Sequence, residues 1–431
     1  MLLEFRFVNF KSFRDEAVLS FVANSDETAP DNFVVCSDDS SVNLLKAAAI
    51  YGANASGKST VFQAFEFAQD FIVRSANNNP DAPIKVTPFL LDESKSKPSM
   101  FEFTFIQNEV RYQYGFSVTN RLVEKEWLIS YPKGRSRKLF ERSLQDNTSF
   151  YTFGAHLKGE KEKISELTRA NALFLSVGAT FNHSQLLDIY HWFSDKTIFV
   201  RSSEIPEPLV FDFVLEHPDL VDQLKGLINY ADLGIVDFSL AELEFEPHYP
   251  PNEILETIPA VHGAPDDVLK KNGDSGLKVH QKSYEFSISH QSGQKIFSFP
   301  WEAESDGTRR LFGLSAPIFD TLKNGKVLFV DEIDRSLHPL LTRKLIQLFQ
   351  NPQLNSKGAQ LVFNTHDTSL LSAGLFRRDQ IWFLEKDQSG ASHIYPLLEY
   401  SPRKGESLEK GYLQGRYGAI PFLGEYPFGG K

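Results

Sequence analysis

The sequence predicts an α/β fold with a β-rich lobe and an inserted helical or mixed lobe. Three observations predict it. The apolar runs Ala47–Tyr51 and Val327–Val330 each end in a polar turn that leads into a helical pattern. A third apolar run, Gln360–Phe363, follows the second after a helix-length segment, which is the spacing of a strand–helix–strand unit. Between 101 and 132 the segments FEFTFI, RYQYGFSV and EKEWLISYP alternate or carry aromatic strand formers.

The elements follow in order. Leu3, Phe5 and Phe7 alternate with Glu4, Arg6 and Val8, the period of a strand, and a second strand follows around Ala17–Val22. Residues 24–43 are polar and read as loop. Beyond Lys58, Val61, Phe65, Ala68 and Ile72 recur at helical spacing, and the helix must end before Asn77-Asn78-Asn79-Pro80. Residues 84–150 read as the β-rich lobe and 160–230 as helical. Residues 245–280, rich in Pro, Gly and charge, mark a boundary or a loop. SYEFSISHQSGQKIFSFP is a hairpin signal, and helix and strand alternate again from Trp301. The Gly-rich segment 405–431 must dock on something to be ordered. This divides the chain into 1–75 (first part of the core), 76–158 (β-rich lobe), 159–295 (inserted lobe), 296–400 (second part of the core) and 401–431 (docking segment).

Composition narrows the classes. A chain of 431 residues allows two or three domains, and 38 Phe with 13% aromatics can bury a large core, which excludes wholesale disorder. A net charge of −11 argues against a generally basic nucleic-acid coat, although a local basic patch fits inside an acidic total. A single cysteine, Cys36, excludes an internal disulfide framework and a multi-cysteine zinc site. The start lacks the basic and apolar regions of a signal peptide, and no apolar stretch reaches the roughly 18 residues of a membrane span. The expected compartment is the cytoplasm.

The strongest chemical signal is Gly52-Ala53-Asn54-Ala55-Ser56-Gly57-Lys58-Ser59, followed by Thr60. It fits G-x-x-x-x-G-K-[ST], between a strand and a helix. The glycines let backbone N–H groups turn toward phosphate oxygens, Lys58 reaches the β/γ-phosphates of ATP, and Ser59 is a Mg²⁺ ligand. The second signal is an apolar strand ending in Asp331-Glu332. Asp331 would hold Mg²⁺ through its water shell and Glu332 would polarise the attacking water. The third is Gln360–Asp367, where His366 falls just past a strand. A strand–helix–strand connection would set His366 beside the acids at the carboxyl edge of the sheet, in reach of a γ-phosphate. Lys133-Gly134-Arg135-Ser136-Arg137-Lys138 reads as an exposed hairpin turn, with a phosphate-backbone contact as its functional alternative.

These elements, in this order, resemble the ABC-class P-loop ATPases of the SMC/RecF/OLD branch, over about 1–75 and 295–375. The opening FRFVNFKSF resembles the N-terminal hairpin of that branch. The resemblance implies an ABC-type ATPase head and two further elements. Glu304-Ser305-Asp306-Gly307-Thr308-Arg309-Arg310 looks like a degenerate signature motif before a helix at Leu311–Leu322. Ser305 and Gly307 would cap the γ-phosphate of ATP bound to another subunit; an ordinary helix cap is the alternative. Ile333–Pro339 resembles the D-loop. The family's Q-loop glutamine has no clear match, since Gln107 and Gln113 look like strand or turn residues. The resemblance further implies slow ATP hydrolysis, a homodimer or higher oligomer joined by an ATP sandwich, and no membrane partner of the kind a transporter motor needs.

The chain has no long coiled coil, and too little sequence follows His366 for a nuclease domain. It therefore looks like the compact bacterial anti-phage ATPases of the PARIS and RloA abortive-infection types. That likeness implies a sensor-scaffold controlling a separately encoded nuclease, TOPRIM-like or RloB-like. The alternative is a RecF/SMC-like clamp that binds DNA directly in repair.

Overall fold

The computed structural model describes residues 1–25, 29–35, 42–146, 148–201, 213–215, 217–231, 234–245, 281–372, 374–403 and 405–421. Cys36, most of the 245–280 segment and the last ten residues lie outside them.

The strands and helices run β1 (Leu2–Val8), β2 (Ala17–Ser20), β3 (Phe33–Val35), β4 (Asn43–Leu45), β5 (Ala47–Gly52), α1 (Lys58–Arg74), β6 (Ser99–Gln107), β7 (Val110–Val118), β8 (Val123–Tyr131), β9 (Arg137–Gln145) and β10 (Thr148–Phe153). They continue with α2 (Lys161–Leu167), α3 (Phe174–Thr180), α4 (Ser184–Asp195), β11 (Thr197–Val200), α5 (Val221–Tyr230), β12 (Ile235–Phe245), β13 (Gln281–Ser292) and β14 (Lys295–Pro300). Last come α6 (Asp306–Asn324), β15 (Val327–Val330), α7 (Pro339–Gln350), β16 (Gln360–Asn364), α8 (Ser369–Ser372), β17 (Ile381–Lys386), β18 (Ser392–Pro396) and α9 (Leu408–Leu413). The fold is α/β, as expected. Among the described residues no helix is long and apolar enough to cross a membrane.

The chain forms two compact units, Met1–Ile205 with Pro317–Lys431, and Pro206–Ala316. The first unit holds two large sheets. One has the order β11-β15-β16-β5-β17-β18, parallel except for β18. Its central strands are buried on both faces, which is why AAAIYG and QLVFN read as continuous rather than alternating runs. The other is antiparallel, β10-β9-β8-β7-β6-β1-β2.

Helix α1 joins the two sheets, and its apolar face explains much of the Phe content. Val61, Phe65, Ala68 and Ile72 are all buried. The Phe65 ring lies 4.9 Å from Phe5 and 5.0 Å from Phe103 of the antiparallel sheet, and 4.3 Å from Phe329 of the parallel one. Burying such a ring stabilises the fold by about 1.5–3 kcal/mol.

The boundaries differ from the sequence expectation in two places. β1 pairs with β6, so the opening hairpin belongs to the antiparallel sheet although it is sequence-adjacent to the core strand β5. Residues 159–205 go with the first unit, because Trp192 and Phe193 of α4 pack on Phe103 and Phe105 of β6. A helical composition alone could not show which layer those aromatics fill.

Buried charge in the antiparallel sheet is fully engaged. Glu126 accepts from the N–H groups of Phe174 and Leu175 at 2.7 and 3.0 Å and from the Tyr114 hydroxyl, and so caps α3. Arg142, equally buried, lies 3.7 Å away and donates to the carbonyls of Ala172 and Arg169. Burial pushes the Glu126 carboxyl up, against the opposing pull of Arg142 and the N–H donors.

In the second unit β12, β13 and β14 form a meander, and β13–β14 is the expected hairpin, turned at Gly293 with φ 63°. The helix expected from Leu311 begins five residues earlier, at Asp306. Ser305 caps it, its Oγ accepting from the Thr308 N–H at 3.1 Å. The charged DGTRR start hides the helix from a reading based on apolar periodicity.

Candidate nucleotide-binding site

The parallel strands β5, β16 and β15 are neighbours, and their carboxyl ends carry the three sequence signals side by side. β5 ends in the Gly52–Ser59 bend, β15 in Asp331-Glu332, and β16 in Asn364-Thr365-His366. The carboxyl edge of a parallel sheet is where ligands bind in such folds.

The bend is shaped by its glycines. Gly57 takes φ 111°, and a Cβ there would lie 2.7 Å from Ser392 Oγ and 3.0 Å from Ser12 Oγ. A Cβ on Gly52 would lie 2.5 Å from the Leu384 carbonyl oxygen. Both positions therefore exclude a side chain. Ala55 also adopts a left-handed φ of 61°, so the turn closes tightly before α1. The N–H groups of Lys58 and Ser59, the first two of α1, precede the first bond of the helix, from the Thr60 N–H to the Gly57 carbonyl, and lie beside the bend at the positive end of the helix.

Lys58 is buried. Its Nζ donates to the Gly52 and Ala53 carbonyls at 2.8 and 3.0 Å, folding the ammonium back over the bend. Burial lowers its pKa, while Glu332, Asp331 and Asp334 pull the other way. The charge of those carboxylates keeps the ammonium favourable in a desolvated place. Ser56 Oγ is buried without a hydrogen-bond partner among the described residues, a polar atom aimed into the bend. Asn54 and Ala55 are exposed at the tip, and Thr60 follows Ser59 in the first turn of α1, its N–H bonded to the Gly57 carbonyl.

Ser59 and Asp331 meet although 272 residues separate them. Ser59 Oγ donates to the two carboxylate oxygens of Asp331 at 3.0 and 3.2 Å. A hydroxyl and a carboxylate brought together are hard oxygen donors of the kind Mg²⁺ takes, with water and phosphate oxygens completing its shell. Among the described residues no cluster of three or more His, Cys, Asp or Glu could hold a metal unaided. That donor set suits an ion shared with a phosphate better than a closed protein cage. The residues therefore fit both ATP and Mg²⁺.

Glu332 sits beside Asp331 in an unusual backbone state, with φ 52°. Non-glycine residues rarely take this conformation, and it costs about 1–3 kcal/mol. Asn364 holds it there. Its Oδ1 accepts from the Glu332 N–H at 2.8 Å, while its Nδ2 donates to Asp331. Asn364 is wholly buried and was not assigned a role by sequence reasoning. The sequence offered one signal, a polar residue closing the otherwise apolar run QLVF.

His366 lies exposed at the same edge, its N–H 3.3 Å from Asp334 Oδ2 in the D-loop-like turn. That turn ends at His338, whose Nδ1 accepts from Leu340 N–H and caps α7. Gln107 and Gln113 lie on the antiparallel sheet. Gln113 accepts from the Tyr131 hydroxyl and Gln107 donates to the Asp188 carbonyl, so neither serves this edge. Arg201, just past β11, instead shares with Ser59 and Asp331 a cavity of about 820 Å³ that also holds Lys11 and Gln63. Lys11 and Ser12 reach the site because the buried Asn9 pins the opening hairpin to the Ser94 and Lys97 carbonyls.

The described part of the C-terminal segment packs on the same unit. Tyr412 of α9 stacks on Phe383 at 5.3 Å and meets Tyr51 of β5 edge-on at 5.8 Å. Glu409 accepts from Thr368 Oγ1 at 3.1 Å, two residues past His366. Ser305 and Gly307 belong to the other compact unit, at the first turn of α6.

No curated protein matches the chain. Among solved structures, it is similar to the SMC head domain from Thermotoga maritima, at 14% identity over 92% of this chain and 98% of that one, with a TM-score of 0.39. It is also similar to the Smc head domain with an extended coiled coil bound to the C-terminal domain of ScpA from Pyrococcus furiosus, at 13% identity over 96% and 98%, with a TM-score of 0.38. A family model described as "AAA domain, putative AbiEii toxin, Type IV TA system" matches residues 47–372, from the strand that feeds the Gly52–Ser59 bend to α8. With that match spanning most of its length, the chain belongs to this AAA-domain family of P-loop ATPases.

Proposed function

We propose that the chain is a slow, Mg²⁺-dependent ATPase of the cytoplasm whose nucleotide cycle controls a separately encoded nuclease in anti-phage defence. The Ser59–Asp331 contact carries the nucleotide half of this reading. Few structural needs would bring a P-loop serine and a strand-end carboxylate together, whereas a metal-bound triphosphate needs both. When ATP binds, Lys58 exchanges the Gly52 and Ala53 carbonyls for the terminal phosphates. Ser59 and Asp331 would hold Mg²⁺, which would supply positive charge beside the phosphates. Glu332 takes a proton from the attacking water, and His366 contacts the γ-phosphate side.

The dimer half of the reading rests on Ser305 and Gly307. We assign them to the ATP of a second subunit, so that ATP closes a homodimer and hydrolysis opens it. A clamp of this kind shifts between two populations according to the nucleotide it holds. We assign the output of this cycle to a separately encoded TOPRIM-like or RloB-like partner.

The test is purification of tagged Glu332→Gln protein from its own cells with ATP and Mg²⁺. The expected result is a closed oligomer carrying a nuclease, absent from the Lys58→Ala preparation. Recovery of DNA with no protein partner overturns the scaffold reading in favour of a DNA-binding clamp.

A further inference from the structure

The described part of the C-terminal segment plays no part in the nucleotide site as drawn so far, yet it reaches the loop that carries His366. It is seated by aromatic rings. Tyr412 and Tyr417 are buried, and both stack on Phe383, at 5.3 and 5.8 Å with interplanar angles of 12° and 18°. Gly411 lets α9 close on this stack, since a Cβ there would lie 2.6 Å from the Tyr417 hydroxyl oxygen. Glu406 accepts from that hydroxyl at 3.0 Å, and the Tyr395 hydroxyl donates to the Tyr417 carbonyl at 3.0 Å. None of these contacts needs Glu409, so the seat of α9 and the reach of Glu409 are separate features.

The loop Thr365–Thr368 is held from three segments. From β5, the Ile50 carbonyl accepts the Thr365 N–H at 3.2 Å and the Tyr51 hydroxyl donates to the Asp367 carbonyl at 3.3 Å. Burial, and then the charges of Asp367, Asp334 and Glu409, push the Tyr51 hydroxyl well up, so it stays a donor. From the turn after β15, Asp334 Oδ2 accepts the His366 N–H at 3.3 Å. All three bonds are longer than the usual range of about 2.7–3.0 Å, which leaves the loop weakly fixed by them alone. The third segment is α9. Glu409 Oε1 accepts from Thr368 Oγ1 at 3.1 Å, a bond across 41 residues to an ionised acceptor, the stronger kind.

We propose that Glu409 is a positioning residue for ATP hydrolysis: through Thr368 it fixes the loop that presents His366 to the γ-phosphate side. The proposal rests on the role given to His366 above. The aromatic seat gives Glu409 a rigid base, and the bond it makes lies two residues beyond His366. A misplaced catalytic group slows the chemical step while the Gly52–Ser59 bend, which binds the phosphates, stays as it was. Glu409 therefore acts on turnover and not on nucleotide affinity.

The experiment measures phosphate release at saturating ATP and Mg²⁺, ATP affinity by calorimetric titration, and melting temperature, all on the full chain. Glu409→Ala and Thr368→Val are each expected to lower turnover about 5- to 50-fold with ATP affinity unchanged. Glu409→Gln keeps an acceptor oxygen at the same reach and is expected to restore most of the turnover. The His366→Ala/Glu409→Ala variant is expected to be no slower than His366→Ala alone, because Glu409 acts only through that loop. Should Glu409→Ala fail to fold, the nearly isosteric Thr368→Val carries the same test. Losses that multiply in the double variant overturn the proposal, as does a fall in ATP affinity matching the fall in turnover. If His366→Ala is slow while Glu409→Ala and Thr368→Val turn over like the parent, the proposal alone fails. If His366→Ala itself turns over like the parent, the role given to His366 fails first and takes the proposal with it.

Discussion

The carboxyl edge of the parallel sheet and the start of α6 both carry motif residues, but they are held in different ways. At the sheet edge the bonds are long-range: Ser59 to Asp331, the Glu332 N–H to Asn364, the Thr365 N–H to the Ile50 carbonyl. At the start of α6 Ser305 meets Thr308 and Arg309 meets Asp306, each within one helical turn. Any helix beginning Ser-x-x-Thr would make the second set. Only this fold makes the first. A constellation assembled from three distant segments, with a strained φ at its centre, is evidence of a site in a way that a cap is not.

A large effect on nucleotide affinity is expected from breaking the first set at its charge. Lys58→Ala leaves the bend without its ammonium, and loss of such a charge-assisted contact costs about 2–4 kcal/mol, roughly a 30- to 1000-fold loss of ATP affinity. Calorimetric titration with ATP and Mg²⁺ measures it, and an unchanged melting temperature shows that the fold survives. Undiminished affinity would remove the basis for a nucleotide site here. Next comes Glu332→Gln, which keeps the shape but cannot accept a proton. Phosphate release is expected to fall about 10²- to 10⁴-fold while ATP affinity holds. Equal loss of both would make Glu332 a binding group.

Legibility in the sequence follows the same division. The Gly52–Ser59 bend and Asp331-Glu332 could be read because their residue types are tied to short spacings and to the ends of apolar strands. The face of α1 was readable for a similar reason, since helical periodicity marks the residues that a neighbour must cover. The assignment of β1 and β2 to the antiparallel sheet was not, because strand alternation says that a face is buried but not against what. The 159–205 boundary was illegible on the same ground: Trp192 and Phe193 look alike in an inserted lobe and in a shared core. Asn364 escaped notice since a single amide at the end of a strand signals nothing until its two partners are known.

Asn364 therefore offers a finer break in the same edge. Asn364→Ala frees the Glu332 N–H and one oxygen of Asp331 together. Residues that orient metal ligands typically contribute 10- to 100-fold to metal affinity or activity. The expected result is a rise of that size in the Mg²⁺ concentration giving half-maximal phosphate release, with ATP binding in EDTA unchanged. Asn364→Asp should not rescue it, because a carboxylate facing Asp331 repels where the amide donates. A loss of ATP affinity without a Mg²⁺ shift would place Asn364 outside the metal site.

The smallest effect belongs to Ser305, and it sharpens the comparison most. Ser305→Ala removes the cap of α6 and is expected to lower stability by about 1 kcal/mol. Ser305→Asn restores a capping oxygen, so the melting temperature should return to that of the parent. If Ser305 is only a cap, phosphate release recovers with it. If its hydroxyl also meets the γ-phosphate on a second subunit, the asparagine variant folds normally yet hydrolyses slowly at saturating ATP. Its turnover per subunit would then also fail to rise with protein concentration, where the parent's is expected to rise if ATP joins two subunits. Stability and turnover that recover together leave α6 with an ordinary helix start and withdraw the two-subunit site. Recovery of stability alone assigns to Ser305 a contact that its own chain does not supply.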